Sequence, residues 1–321
     1  MNKKLRLGTR TSPLAMAQTE ITLKVLQEQF PQYDLEVVPI QTQGDKDKVR
    51  SLVSIGGSGV FVKELEQALL DFKIDIAVHS LKDVPSDMDS RLVLAGFLKR
   101  ASANDVLVAK NHKLKSLPLH AKVGTGSPRR ILQLREHRPD LNFVDLRGNL
   151  ASRIEKVNSG DLDAILLGAA GLERLNLFSE VSEVLPPEIV TPAIGQGIIG
   201  LQSLGDRSDV CEILKEISDP FTYKAARLER TWMELLGGGC RAPMAAYLAP
   251  YQDKGAKFYV YLADPNTKVF HRDIWIHRTG FWTLEEFENL TNEFINQCES
   301  LKIPIPKKLE AHSLMDFWGK L

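Results

Sequence analysis

Five arginines stand where helices tolerate positive charge least. Arg10 precedes Ser12-Pro13, Arg129 and Arg130 follow Ser127-Pro128, Arg147 precedes Asn149, and Arg153 lies one turn further on. Ser and Asn are favoured N-caps and Pro suits the first helical position, so each cluster reads as a helix start. A cation there opposes the helix dipole by about 0.3–1 kcal/mol. One such arginine reads as solvated or paired with a nearby acid. Repeated at three capped starts, the pattern points to an anion site made from free N–H groups, helix dipoles and guanidinium forks. The ligand would carry several carboxylates or phosphates. The glycine-bearing segments match neither a P-loop nor a dinucleotide fingerprint, which disfavours a nucleotide.

Two further places carry chemistry. The run from His79 to Pro85 follows the apolar stretch 74–78. In an open α/β sheet, ligands bind at the carboxyl ends of strands, where Lys82 and Asp83 would stand. The same segment also fits a surface ion pair or a turn. A Ser80–His79–Asp83 triad is disfavoured, because adjacent strand residues point to opposite faces and no GxSxG elbow is present. Among arginines, Asp83 would stay ionised, able to stabilise a cation and to accept a proton. Cys240 sits in LLGGGCRAP, where three glycines leave its thiol unshielded and Arg241 favours the thiolate. It reads as a nucleophile or an attachment point, whereas Cys211 and Cys298 adjoin apolar helix faces and read as core.

These groups need a scaffold. The chain has 321 residues, 43% of them hydrophobic and 26% charged, with 41 basic and 41 acidic side chains. That is ordinary globular composition for two or three domains, and net neutrality argues against a general nucleic-acid binder. Three cysteines without a CxxC pair argue against a disulfide framework or a structural metal, and the cytoplasm is the expected compartment. No apolar stretch is long enough to span a membrane. Over the first two-thirds of the chain strands alternate with helices, which predicts mostly parallel sheets with helical crossovers. Phe61, Leu65, Ala68, Leu69 and Phe72 define one amphipathic helix face. Between Gln41 and Gly59 lies a long polar segment, expected to cover a cleft. TPAIGQGIIG at 191–200 reads as a crossing between domains, and from about residue 219 a smaller α+β unit follows.

LGTRTSPLAMAQ, FVKELEQALL, DIAVHSLKDVP, GTGSPRR, DLRGNLASRI, AAGLERL, PAIGQG and LLGGGC together resemble the porphobilinogen deaminase (hydroxymethylbilane synthase) family. The matching runs span residues 5–240. The resemblance implies an α/β fold of two periplasmic-binding-protein-like lobes with mixed, mostly parallel sheets, plus a small α+β C-terminal domain. Its implied division is 1–99 with 195–217, then 100–194, then 218–321. It implies a cytoplasmic monomer that condenses four porphobilinogens on a covalent dipyrromethane, releasing ammonia each time, then hydrolyses off hydroxymethylbilane. Neither a metal, nucleic acid nor a membrane is expected as partner. Cys240 would hold the dipyrromethane through a thioether, and Asp83 would be the catalytic carboxylate. Lys82, Ser127, Arg129, Arg130, Arg153 and Gly171 correspond to cofactor contacts; Arg10, Ser12, Phe61, Arg147, Arg174 and Gln196 correspond to substrate contacts. The chain departs from the family pattern at Ser54 and Ser58, where lysines are common, and at Gln202, where Glu is common.

Overall fold

The computed structural model describes residues 3–42, 62–237 and 243–305. The first sheet takes β1 (Lys3–Arg10), β2 (Tyr33–Ile40), β3 (Ile76–Ser80) and β4 (Leu92–Phe97). It is completed by a strand from much later in the chain, β10 (Ile199–Leu204), in the order β2-β1-β3-β10-β4. β1 is parallel to β2 and β3, whereas β10 is antiparallel to β3 and β4. Four strands therefore run one way and β10 alone opposes them.

The second sheet repeats this plan with β5 (Asp105–Ala109), β6 (Lys122–Gly124), β7 (Asn142–Val144), β8 (Ala164–Gly168) and β9 (Glu183–Val184), ordered β7-β6-β8-β5-β9. Here β5 is the reversed strand. Both reversed strands are those entered directly from the other lobe, β5 after the crossing 98–104 and β10 after the crossing 185–198.

Helices cover both faces of each sheet, which is why its strands read as continuous apolar runs. Val106, Val108, Ile165 and Leu167 pack with Ile154 and Val157 of α4 (Leu150–Asn158). The alternate residues Leu107, Ala164 and Leu166 pack with Leu134 of α3 (Pro128–His137). In the first lobe, α1 (Pro13–Gln29) contributes Leu26 to one face, and α2 (Lys63–Leu70) contributes Leu65 and Leu69 to the other. The sequence places Phe72 on that apolar face, but the helix ends at Leu70. The Phe72 and Lys73 N–H groups donate back to the Leu69 and Ala68 carbonyls, Phe72 adopts φ 57°, and its ring is 62% exposed. The chain turns here because Ile74 must enter the core ahead of β3.

The remaining α-helices among the described residues are α5 (Ala169–Arg174), α6 (Ser208–Glu216), α7 (Pro220–Leu235) and α8 (Leu284–Ser300). The last two pack on an antiparallel sheet of β11 (Met244–Tyr251), β12 (Gly255–Ala263) and β13 (Phe270–His277). Its core is aromatic, with Trp232, Phe258, Trp275, Phe287 and Phe294 around Cys298. Burial pushes the Cys298 thiol up to about 12, so it is inert packing. Cys211 is half-buried, and burial raises its thiol as well.

α7 ties the three parts together. Glu229 is fully buried and accepts from Arg100 in the first crossing at 2.5 Å, from the Gly195 N–H in the second at 2.7 Å and from the Leu248 N–H of β11 at 2.8 Å. Next to it, Arg230 donates to the carbonyls of Val84 and Pro85. Losing one partner of a buried pair strands the other charge, at a cost of about 3–5 kcal/mol. Glu229→Ala should therefore lower unfolding free energy by roughly that amount in a denaturant titration. A loss within ~0.5 kcal/mol, as for an ordinary surface change, would show that the two crossings hold without it.

Candidate functional site

The first wall of the cleft is built from strand ends. β1 delivers Arg10, and Ser12 caps α1 by accepting from the Ala15 N–H at 3.3 Å. β3 delivers His79 and Ser80, and a single 3-10 turn, Leu81–Asp83, carries Lys82 and Asp83 past the sheet. Arg10, Ser12, Gln18, Val62, His79, Ser80 and Asp83 surround an open pocket. His79 and Ser80 turn to different partners, as strand alternation requires. Ser80 exchanges hydrogen bonds with the Gln18 amide, whereas His79 Nε2 lies 2.9 Å from Gln202 Oε1. Burial drives His79 down to about 4, so its ring is neutral at physiological pH. No triad forms. Asp83 takes no hydrogen bond and no ion pair among the described residues, which leaves its carboxylate available to a ligand.

The second wall has an internal acid that the sequence reading passed over. Asp105 opens β5 with no exposed surface. Arg130 donates to its Oδ1 through Nε at 2.9 Å and Nη2 at 2.6 Å, while Arg129 Nη1 stands 2.7 Å from its Oδ2. Arg130 also donates to the Leu166 carbonyl, and Arg129 to that of Thr191. The Ser127 cap, accepting from the Arg130 N–H, starts α3 so that both arginines fall inside the lobe. Two arginines at one helix start thus serve one buried carboxylate and retain a net positive charge. An acid at the head of the apolar run DVLVA was the available signal, since buried acids are rare unless paired. The arginines counter its desolvation and hold Asp105 well below the usual carboxylate range.

Between the walls, cations crowd together. Lys82 is exposed, and its ammonium is lowered from the ordinary value by desolvation and by the neighbouring Arg130 and Arg129 despite Asp83 beside it. Arg153 is lowered by burial and then by Arg130 and Arg147. Burial takes Arg174 down to about 10, and its Nη2 donates to the Gly197 carbonyl at 2.7 Å. Arg147 is half-buried and its Nε reaches Asp145 at 3.3 Å. Gln196, from the second crossing, donates to the Ala103 carbonyl and to Asp105, which leaves its buried Oε1 without a hydrogen bond. That oxygen lies beside Gly168, where a Cβ would stand 3.4 Å from it and 3.7 Å from Lys82 Nζ. Gly171 sits at the seam of the lobes, where a Cβ would meet Leu150 at 3.1 Å and Leu14 at 3.7 Å. Phe61, Cys240 and Arg241, and the loop after Thr42, lie outside the described residues. Among the described residues there is no cluster of His, Cys, Asp and Glu fit to hold a metal, and no helix is long and apolar enough to cross a membrane.

The Asp105 pair has a measurable consequence. A carboxyl lowered in the folded state adds stability above its unfolded pKa, and that stability drains away as pH falls through the folded value. Asp105→Asn should destabilise the protein by about 3–5 kcal/mol at neutral pH. The gap to the parent protein should narrow below about pH 4, where the unfolded carboxyl begins to protonate. Unfolding curves whose separation stays constant from neutral pH to about pH 2 would contradict the assignment.

Comparison with known proteins extends the picture. Residues 5–212 match the family model described as porphobilinogen deaminase, dipyromethane cofactor binding domain. A porphobilinogen deaminase from Syntrophomonas wolfei is 44% identical over 245 residues, covering 76% of this chain and 80% of that protein. One from Chlorobium chlorochromatii is 37% identical over 302 residues, covering 92% and 96%. Among solved structures, the VFT2 domain of Bordetella pertussis BvgS and the methionine-binding protein MetQ are similar at 16% and 13% identity, with TM-scores of 0.41 and 0.44. Each comparison covers 71% of this chain, and 90% and 95% of those chains respectively. With a family match running through both walls of the cleft and relatives above 35% identity along most of its length, the chain belongs to the porphobilinogen deaminase family, enzymes of tetrapyrrole biosynthesis with a dipyrromethane cofactor-binding domain.

Proposed function

We propose that the cleft is where porphobilinogen molecules are joined head to tail with loss of ammonia, and that Asp83 performs the chemistry there. The observation that carries this reading is the unpartnered Asp83 carboxylate in a pocket it shares with Arg10 and Ser12, one residue from Lys82. Porphobilinogen bears two carboxylates, a pyrrole N–H and an aminomethyl group. The cleft offers matching chemistry: cations that lower one another's pKa for the carboxylates, and two open acceptors, Asp83 and Gln196 Oε1, for N–H groups. These features also suit dipyrromethane, which when bound supplies the pyrrole α-carbon onto which the chain is extended.

Lys82, Ser127, Arg153 and Gly171 are assigned to the cofactor side. Arg129 and Arg130 join them through the positive charge that remains after pairing with Asp105. Arg10, Ser12, Phe61, Arg147, Arg174 and Gln196 are assigned to the substrate side. Asp83 stabilises the cation left on porphobilinogen when ammonia departs and accepts a proton, in a site where fixed charges need not reorganise. We also assign the covalent attachment to Cys240, the division into three units near residues 99, 194 and 217, and a monomeric cytoplasmic existence consistent with the sparse cysteines.

Asp83→Asn keeps shape and removes charge. The expected outcome is a kcat lowered by about 10² or more with a modest change in KM, measured on protein that carries the adduct. Near-normal kcat would remove Asp83 from the chemical step. Intact mass tests the attachment: Cys240→Ala should show the bare chain without turnover, whereas Cys211→Ala and Cys298→Ala should keep the added mass. An adduct on Cys240→Ala protein would move the attachment elsewhere.

A further inference from the structure

His79 is a buried titratable group on the pocket wall that the chemistry above does not use. Its neighbours define its hydrogen atoms. His79 lies opposite Gly200 on β10, and Gln202 lies opposite Ala77, so His79 and Gln202 are diagonal neighbours on one face of the sheet.

Gln202 Nε2 lies 2.9 Å from Glu66 Oε1 on α2, and its Oε1 lies 2.9 Å from His79 Nε2. An ionised carboxylate only accepts hydrogen bonds, so the NH₂ end of the amide must face Glu66. The carbonyl end must then face His79, which requires a hydrogen on Nε2. In a neutral ring that leaves Nδ1 with a bare lone pair. Nδ1 makes no hydrogen bond among the described residues, in a pocket whose other polar side chains include the cation Arg10. We propose that His79 Nδ1 is a hydrogen-bond acceptor for an N–H group of porphobilinogen beside Asp83, and that Gln202 and Glu66 are the positioning residues that set its tautomer. The inference rests on this pocket being the porphobilinogen site.

Among the described residues, the charged groups around the ring are Arg10 from β1, Asp83 from the turn after β3, and Glu66 beyond Gln202. Burial of the ring disfavours its cation, and Arg10 acts in the same direction, so the acceptor state persists well below neutral pH. A carboxylate at position 202 would reverse this logic. It could not donate to Glu66, it would favour a protonated His79, and imidazolium turns Nδ1 from acceptor to donor.

The test uses adduct-bearing protein with ¹⁵N-labelled histidine, the spectrum of His79 being assigned by comparison with His79→Gln. The parent protein should show the neutral Nε2–H tautomer from pH 8 down to about 5. Gln202→Glu should show imidazolium at neutral pH and a KM for porphobilinogen raised about five- to tenfold, with kcat changed less, and KM should recover as pH rises. Glu66→Gln, which is neutral and frees the amide to flip, should give a mixture of tautomers and a smaller rise in KM; it decides the matter if Gln202→Glu does not fold. The proposal is overturned by an Nδ1–H or imidazolium ring in the parent protein. It is equally overturned by an altered ring state in either variant with KM unchanged. A parent protein that carries no adduct or forms no product would instead reject the functional reading, whatever the tautomer of His79.

Discussion

A single carboxylate organises the molecule. Glu229 is withdrawn from water, and a charge so placed is tolerable only when its oxygens are fully occupied. Its partners come from the first crossing, the second crossing and the third sheet. The two connections on which the lobes could pivot are therefore held from one side by the same group. Arg100 adds to the fixation by donating through Nε to the Gln196 carbonyl and stacking over the Tyr247 ring at 4.7 Å. Because Arg230 follows Glu229 on α7, the helix that secures the crossings also supports the backbone just beyond Asp83. The region leading to Cys240 and the strand end bearing Asp83 are thus referenced to one rigid element.

The cleft inverts the usual handling of charge. Asp105 absorbs two arginines inside the second lobe, yet Lys82 and Arg153 remain crowded by other cations and Arg174 remains desolvated, each below its ordinary pKa. Such an arrangement opposes folding and is relieved by an anion, which is how binding sites for polycarboxylates are expected to look before they are filled. Stability is supplied elsewhere, by sheets covered on both faces and by the aromatic core of the third unit.

Much of this was legible in the residues. Ser12-Pro13, Ser127-Pro128 and Asn149 mark three helix starts that the structure keeps, because capping and proline chemistry are local. The run after Ile74 announced β3 and placed Lys82 and Asp83 at its carboxyl end. What escaped was set by distant partners. Nothing near Arg129 and Arg130 says that they will meet Asp105, which lies 25 residues before Arg130 in the chain. Nor does the text around Glu229 reveal a role at both crossings. Phe72 misled for a related reason: helical periodicity carried past Leu70, but the demands of the next strand ended the helix first. Cys240 and Phe61 stand on the family resemblance and on their local sequence alone, outside the described residues.

The reversed strands also order events during synthesis. All five strands of the second sheet lie between Asp105 and Val184, uninterrupted by any other sheet, whereas the first sheet lacks β10 until Leu204 has been made. As the chain leaves the ribosome, β3 and β4 emerge early and wait, each with an unpaired edge, for the strand that separates them. The second sheet is the first whose hydrogen-bond ladder can close. The first sheet is begun before the second yet completed after it, and its apolar strands depend on prompt delivery of β10 to be kept from pairing with other nascent chains.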